Sequence, residues 1–537
     1  MKLNVKKIFF VGLAFLMISM FWQTYDAIVT KILIDKFGLN QMWSGLVMAL
    51  DNVLALFLIP VFGALSDKSK HKRGRRTPFI IVGTIIAALA FMTLTYSDNV
   101  QKSKIEVESQ IIEDYDLIYR SESTDDTVIL NNWKNIQDNI KSEWQSLLNQ
   151  GTISFAKYSE YRDDIILPME DILGDDQITD DETTELKELF DHHANERAWV
   201  ITSNSPMTFF VFVLTLFVAL LAMSAFRSPA VALMPDVTIK PLRSKANAII
   251  NLMGSLGALI ALGSIMLFGL DKFSYVNYTP AFITIGVLMF VILGIFLWRV
   301  KEPELVAERI SKEVKFDLVE EEENEDEWTE EEANLSKSKK VALILILASV
   351  TLWFFGYNAI TTKLSDYAPK VLEMGYAIPI YIAHGSALLA FIPIGILATR
   401  VGRKKTILFG ITLLTICFGS VYFLTPDTSF IMYIIFGLTG IAWATINVNS
   451  YPMVVELAKG SNVGKYTGYY YTFSMAAQII TPVFSGFLMD QFGREILFPY
   501  AATFVAIAFI TMFFVKHGDT KIDKKSSLIE NFDVDMD

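Results

Sequence analysis

"YDAIVTK" occupies residues 25–31 and "YNAITTK" occupies residues 357–363. The two heptapeptides agree at five of seven positions and lie 332 residues apart. Each sits inside an apolar run long enough to cross a bilayer, which takes about 20 residues. A repeat at this distance divides the chain into two halves. The same offset lays "GALSDKSKHKRGRR" (63–76) over "GILATRVGRKK" (395–405). A second pair, "LMPDV" (233–237) and "MVVEL" (453–457), matches at an offset of 220, as does Lys245 with Lys465. The offset shrinks because residues 97–205 form an insertion present only in the first half.

The chain has 537 residues, 52 % of them hydrophobic, with 40 Phe and a mean hydropathy of +0.39. The apolar runs are continuous rather than alternating, so they indicate membrane-crossing helices and not a β-barrel. Twelve spans are expected, near 8–34, 41–65, 78–96, 206–235, 243–269, 279–299, 340–364, 377–399, 405–424, 428–456, 464–489 and 496–516. The opening "MKLNVKK" imitates a signal peptide, but the apolar stretch after it is too long and lacks a small-residue cleavage site. It is read as a retained first span. One cysteine, Cys417, allows neither an intrachain disulfide nor a thiol metal site. The net charge of −12 gives no reason to expect a nucleic-acid partner. No nucleophile–base motif, metal cluster or phosphate loop marks an enzyme, and no cofactor is implied.

Lys and Arg in short loops set orientation. "KSKHKRGRR" (68–76), "KPLRSK" (240–245), "RVGRKK" (400–405) and "KGSNVGK" (459–465) fall on one side with the N-terminal lysines. That side is expected to be cytoplasmic, with both termini, in a multi-pass plasma-membrane protein. The expected organisation is spans one to three in 1–96, an insertion in 97–205, spans four to six in 206–299, a linker in 300–339, spans seven to twelve in 340–517 and a tail in 518–537. The insertion then lies outside the cell and carries a net charge of roughly −16. Trp133 and Trp144 at near-helical spacing predict a small, mostly helical domain, with a solvated spacer as the alternative. "GDDQITDDETTEL" (174–186) lacks the ligand order of an EF-hand, so no metal is expected there.

Two similar six-span bundles can rock about a site near the bilayer midplane and expose it to each side in turn. Ionisable groups within spans cost about 2.5–3.5 kcal/mol each at the centre and therefore mark function. Asp26 and Asp51 fall at similar depths and are candidates for proton or cation coupling; capping or bonding to a buried hydroxyl is the alternative. His384 pairs with Asp51 when the halves are aligned on Pro60 and Pro393, and joins the coupling candidates; alignment on Gly63 and Gly395 pairs Asp51 with Ala383 instead. Substrate-binding candidates are Trp22, Tyr25, Arg227, Asn251, Tyr357, Asn358, Asn447, Asn449 and Gln478. Aromatic rings cover the C–H faces of sugars, and amides bond hydroxyls. The run "TINVNSYP" (445–452) is too polar for a lipid-facing helix and suggests a cavity wall. Packing and interface anchoring are the competing roles for the aromatics. Asp67, Arg75, Arg76 and Asp236, at the ends of spans two to four, form a charge set suited to gating.

"GALSDKSKHKRGRR" resembles the loop signature of the major facilitator superfamily. "RGRRTPFI" (73–80) is similar to the corresponding run of the sucrose-carrier and glycoside–pentoside–hexuronide branch, and "RSPAVALMPDV" (227–237) and "TLWFFGYNA" (351–359) resemble bacterial members of that branch. The resemblance implies twelve transmembrane helices in two pseudo-symmetric six-helix bundles, with proton-coupled uptake of a di- or oligosaccharide; Na⁺ is the alternative ion. It covers the spans but not residues 97–205. Leu220 stands where plant sucrose carriers have a proton-linked Asp, so coupling would pass to another carboxylate. Thr399 replaces the signature Asp in the second half. The expected partners are a sugar, H⁺ and the lipid bilayer, with the chain a monomer. The competing functions are an exporter of drugs or lipophilic solutes, and a receptor that uses the outer domain.

Overall fold

The computed structural model describes residues 4–120, 125–174, 177–239, 242–315, 337–455, 457 and 463–516. Its regular elements are helices. In the first half run α1 (Val5–Lys36), α2 (Gln41–Asp67), α3 (Thr77–Glu108), α4 (Met207–Val237), α5 (Arg243–Leu267) and α6 (Thr279–Arg299). In the second run α7 (Lys337–Val371), α8 (Ala377–Val401), α9 (Arg403–Val421), α10 (Ile431–Val455), α11 (Val463–Phe492) and α12 (Leu497–Phe513). Eleven are long and apolar enough to cross a membrane, and α8 carries a shorter apolar stretch, Ala377–Phe391. Helices are the expected solution because lipid offers backbone groups no partners. The Asn40 side chain accepts from the Trp43 N–H and starts α2, while Pro280 occupies the first turn of α6. Bulky side chains such as Phe57, Phe210, Trp298, Leu389 and Ile434 are exposed on the outer helix faces, where a lipid belt would cover them.

The packing order repeats. In the first half α4 packs on α3 and α2, α5 on α1, and α6 on α3 and α1. In the second, α10 packs on α9 and α8, α11 on α7, and α12 on α9 and α7. The halves meet along α2–α11 and α5–α8, two seams that the repeat makes equivalent, and along α1–α7 between them. Thr30 Oγ1 donates to the Thr362 carbonyl at 3.4 Å, and these two threonines are 332 residues apart, the offset of the repeat. The pseudo-two-fold axis therefore passes between two copies of one motif.

The α2–α11 seam brings backbone against backbone. A Cβ on Gly45 would stand 2.1 Å from the Pro482 carbonyl oxygen, and one on Gly486 would stand 2.2 Å from that of Gln41. Small residues at both positions let the helices approach this closely.

One span boundary differs from that read in the sequence, and the 300–339 linker is expected to be partly helical. Helix α3 does not stop near residue 96 but continues to Glu108, because Asp98 and Gln101 are buried against neighbours rather than released into solvent. The segment expected as a linker from residue 300 begins as a helix, Glu302–Lys315, tied to the first half by a Lys7–Glu308 pair. Residues 316–336, the tail after 516 and most of "KGSNVGK" lie outside the described residues. Beyond α3 the insertion holds helices Ile111–Tyr119, Asp126–Asn149, Phe155–Tyr161, Leu167–Leu173 and Asp180–Asn204 around a core of its own. Trp144 stacks on Tyr161 with ring centroids 3.4 Å apart, and both bond the buried His193 ring. Burial pushes that imidazole down to about 3, so it is neutral and accepts at Nδ1.

Gly45→Val should lower the melting temperature of the detergent-solubilised protein, at a cost of about 1–3 kcal/mol for overpacking. Gly263→Ala, where a Cβ meets nothing within 4 Å, should not. A thermal scan of the two variants against the parent checks both.

Candidate functional site

The faces that α1 and α7 turn toward the axis carry the repeat. In α1, Trp22, Gln23 and Asp26 are half-buried, on one face at helical spacing. Asp26 has no hydrogen-bonding partner among the described residues. Asp51 in α2 is also half-buried, and its Oδ1 accepts from the Asn52 backbone at 2.6 Å and side chain at 2.7 Å. The charge of Asp51 acts on Asp26, and that of Arg227 from α4 acts on Asp51. These three predicted residues thus form one electrostatic group. His384, from α8 in the other half, meets Gln23 Oε1 at 3.1 Å. That contact brings a coupling candidate of the second half within one helical turn of Asp26. Sequence reading missed Gln23, although it shares the Asp26 face.

Aromatic and amide candidates lie on α1, α5, α7, α10 and α11. Tyr357 stacks flat on Trp443, with centroids 3.6 Å apart and planes 6° from parallel, and Phe354 meets Trp443 edge-on. Trp22 Nε1 and Asn358 Nδ2 are buried donors without partners. Buried donors are rarely left unpaired, so both are candidates for bonding a solute. Asn251, Asn447 and Gln478 are half-buried on α5, α10 and α11.

Two candidates are placed differently from the reading given above. Tyr25 is fully buried and its hydroxyl donates to the Met48 carbonyl at 3.1 Å, which makes it a tie between α1 and α2. Asn449 is 2 % exposed and donates to the Thr445 carbonyl at 2.9 Å. Thr445 bonds back to Ile441, and Ser450 meets the Tyr470 hydroxyl at 2.9 Å. Much of the polar run "TINVNSYP" is therefore satisfied by its own helix and by α11, the usual outcome for short polar side chains within helices.

At the face of the basic loops, Asp236 takes both arginines. Its oxygens lie 2.5 Å from Arg75 Nη2 and 2.8 Å from Arg76 Nε. Arg76 also reaches Asp67 at 2.5 Å and bonds Ser66. A residue missed in the sequence completes this clasp. The Glu302 carboxylate accepts from the backbone N–H groups of Arg75, Arg76 and Thr77 at 2.8–3.1 Å and from the Thr77 hydroxyl at 2.7 Å. An anion at a helix start satisfies otherwise unpaired donors. Gly74 turns with φ of +108°, and a Cβ there would collide with Glu302, so the glycine of "RGRR" serves this cap. The signal in the sequence was the glycine; its partner, 228 residues on, left none.

At the opposite face, where the insertion lies, the halves are joined by polar contacts. The last residues of the two repeats, Lys31 and Lys363, are each 1 % exposed. Lys363 Nζ crosses to the Gln41 carbonyl at 2.6 Å and to Ser44 at 3.0 Å. Lys31 Nζ bonds the Phe273 carbonyl at 3.2 Å and lies 5.7 Å from the centroid of the Tyr376 ring. Each repeat lysine thus reaches the residue at or just before the start of the other half's second helix. Asp35 pairs with Lys370 at 2.9 Å, Gln41 with Asp366 at 2.6 Å, and Asp490 accepts from the backbone of Gln41 and Met42.

The family model described as Major Facilitator Superfamily matches residues 198–391 and 341–531, and that described as MFS/sugar transport protein matches residues 10–110. No curated protein matches the sequence. The structure is similar to that of a point mutant of the nucleoside transporter NupG, with a TM-score of 0.54 and 12 % identity over 95 % of this chain and all of the other. It is similar to the inward-open xylose transporter XylE from E. coli, with 0.56 and 12 % over 98 % and 99 %. It also resembles a bacterial homologue of the iron transporter ferroportin in an inward-facing state, with 0.55 and 11 % over 95 % and 99 %. At these identities the likeness is one of fold.

Glu302→Ala should lower stability by about 1–3 kcal/mol, since it leaves three backbone donors and the Thr77 hydroxyl without this carboxylate. Chemical denaturation of the purified protein, with Glu304→Ala as an exposed control, measures the loss.

Proposed function

The chain belongs to the Major Facilitator Superfamily, and from that premise we propose that it is a secondary transporter coupling a sugar to a proton by alternating access. The observation that carries this reading is that the two halves bring unlike residues, each half supplying one wall in this account. One wall holds the Asp26–Asp51–Arg227 charge group. The other holds the flat Tyr357–Trp443 pair and the unpartnered Asn358 donor. A polyhydroxylated ring fits such a site, with C–H faces on the aromatics and hydroxyl oxygens on Asn358 Nδ2 and Trp22 Nε1. The match of residues 10–110 to a sugar-transport family model favours the same substrate class.

The proton is held by Asp26 or Asp51. Two negative charges this near repel one another in a low-dielectric space, and a proton on either removes the repulsion. Arg227 and His384 bring positive charge or hydrogen bonds to the same space, so movement of one half against the other changes what the carboxylates face. The basic loops put the clasp of Asp67, Arg75, Arg76 and Asp236 in the cytoplasm. In this reading the insertion face is the outer one, and the clasp acts as a gate at the cytoplasmic face of the first half. The working unit in this account is a monomer in the plasma membrane. Export of a lipophilic solute is a second reading, favoured by the aromatic pair, and Na⁺ is the alternative ion.

Proteoliposomes loaded with a panel of mono-, di- and oligosaccharides, with H⁺ or Na⁺ gradients imposed in turn, test the proposal. Asp26→Asn or Asp51→Asn should abolish gradient-driven accumulation while sparing exchange of labelled for unlabelled sugar. If both variants accumulate sugar like the parent, neither carboxylate couples. Asn358→Ala should raise the half-saturating concentration by up to about tenfold, the value of one hydrogen bond to a buried donor.

A further inference from the structure

The insertion is gripped by both halves, and that grip has a chemistry of its own. On the first-half side, Asn195 Nδ2 donates to the carbonyls of Ile34 and Leu39, each at 3.2 Å, at the outer end of α1. Gly38 turns there with φ of +70°, and a Cβ on it would strike the backbone of Trp199 at 2.2 Å. The loop before α6 enters the insertion's core through Tyr275, and the Tyr115 hydroxyl accepts from the Ser274 N–H at 2.9 Å. On the second-half side, Asp191 lies 3.5 Å from Arg494, and Lys187 pairs with Glu373.

These contacts continue into the seam between the halves. Asp35 of α1 binds Lys370 of α7, and Lys370 lies 3.0 Å from Asp366. Asp366 binds Arg494 at 2.9 Å, and Arg494 faces Asp191 of the insertion. One chain of alternating charges thus runs from the first half through the second and into the insertion. Its acidic members are almost fully buried. Breaking a buried pair by removing one partner is costly, because a charge is left uncompensated.

Two further observations show a junction that is tight without being fully satisfied. Among the described residues, the non-glycine residues with positive φ are Tyr275, at 57°, and Glu373, at 49°. Bulky side chains rarely adopt that conformation, and these two stand where the insertion touches the first and the second half. A small polar cavity lies between all three bodies, lined by Asp35, Tyr115, Asp191, Ser274 and Lys370 among others. Asp35 Oδ2 and Ser274 Oγ are buried at its edge without partners.

We propose that the 97–205 insertion is a strap across the outer mouth, and that its release from Arg494 and Glu373 is a required step before that mouth opens. The strap rests on the alternating-access reading but not on the identity of the solute or ion. Both halves must separate at this face for an outward-open state, and an element fixed to both opposes the separation. Asn195, Tyr115 and Tyr275 anchor it to the first half. Asp191 and Lys187 are the contacts that part.

The test reads accessibility rather than transport. A Thr30→Cys reporter on the axis, in a Cys417→Ala background, is challenged with a membrane-impermeant maleimide from the insertion side. Thr30 is fully buried beneath the seam, so labelling reports opening of that mouth. Asp191→Asn should speed labelling about tenfold, as expected when a buried charge pair loses one member. Lys187→Glu should speed it by a smaller factor, about twofold to fivefold for a partly exposed pair. Lys187→Glu combined with Glu373→Lys should restore the parent rate, which a folding defect would not do. Lys141→Ala, which breaks only the Lys141–Glu170 pair within the insertion, should leave the rate unchanged. Parent-like labelling in both Asp191→Asn and Lys187→Glu overturns the strap. Sugar uptake by the same variants is recorded separately, so absence of uptake in the parent would count against the proposed substrate and leave the labelling result standing.

Discussion

Two buried lysines hold the outer seam. Lys31 and Lys363 end the two copies of one heptapeptide, and each has its charge in the interior: Lys363 bonds the opposite half, while Lys31 bonds its own half and faces a ring of the other. An ammonium group is costly to bury unless carbonyls, hydroxyls or carboxylates replace its water. Here the Gln41 carbonyl and Ser44 hydroxyl, the Phe273 carbonyl and the Tyr376 ring face supply part of that replacement. The Gln41 and Ser44 partners of Lys363 and the Tyr376 ring beside Lys31 are present only while the halves are together at this face, whereas Phe273 belongs to the same half as Lys31. The solvation of both lysines therefore changes with the separation of the halves, and water entering an open mouth can take the partners' place. The arrangement is stable when closed and does not forbid opening.

The two faces use charge differently. At the basic-loop face, Asp67, Arg75, Arg76, Asp236 and Glu302 tie α2, α3, α4 and the helix after α6 together within one half. At the insertion face the charges join one half to the other, and closure depends on them. Between the faces lie the groups proposed for solute and proton, with the candidate carboxylates in the first half and the Tyr357–Trp443 pair and Asn358 in the second. The asymmetry between Asp26 and Asn358 at equivalent positions of the repeat is the simplest expression of that division.

Much of the architecture could be read from the chain. Continuous apolar runs gave twelve helices, and the repeat gave two halves, because both are local patterns. The contacts within each half follow the same order, as copies of one sequence should. Asp26 and Asp51 fall at similar depths by counting residues, and both are half-buried in the first half. Partners distant in sequence were not legible. Glu302 lies in a segment whose composition reads as linker, and only three-dimensional proximity shows it capping α3. Lys31 and Lys363 were in the quoted motif, yet a lysine near a span end reads as a surface anchor. Tyr25 and Asn449 show the opposite error. Their residue types suit sugar binding, but packing turns each toward a carbonyl of the protein.

The central claim is that buried lysines of the repeat close the outer seam and that transport requires its opening. A distance measurement between spin labels on Gly269, in the outer loop of the first half, and Asp427, in that of the second, addresses it most directly. In lipid nanodiscs the parent should give a narrow distribution at the shorter distance. Lys31→Met with Lys363→Met should shift population to a longer distance, since the methionines can neither bond Gln41 and Ser44 nor place a cation beside the Tyr376 ring. An unchanged distribution in that double variant, with the protein folded, would contradict the account.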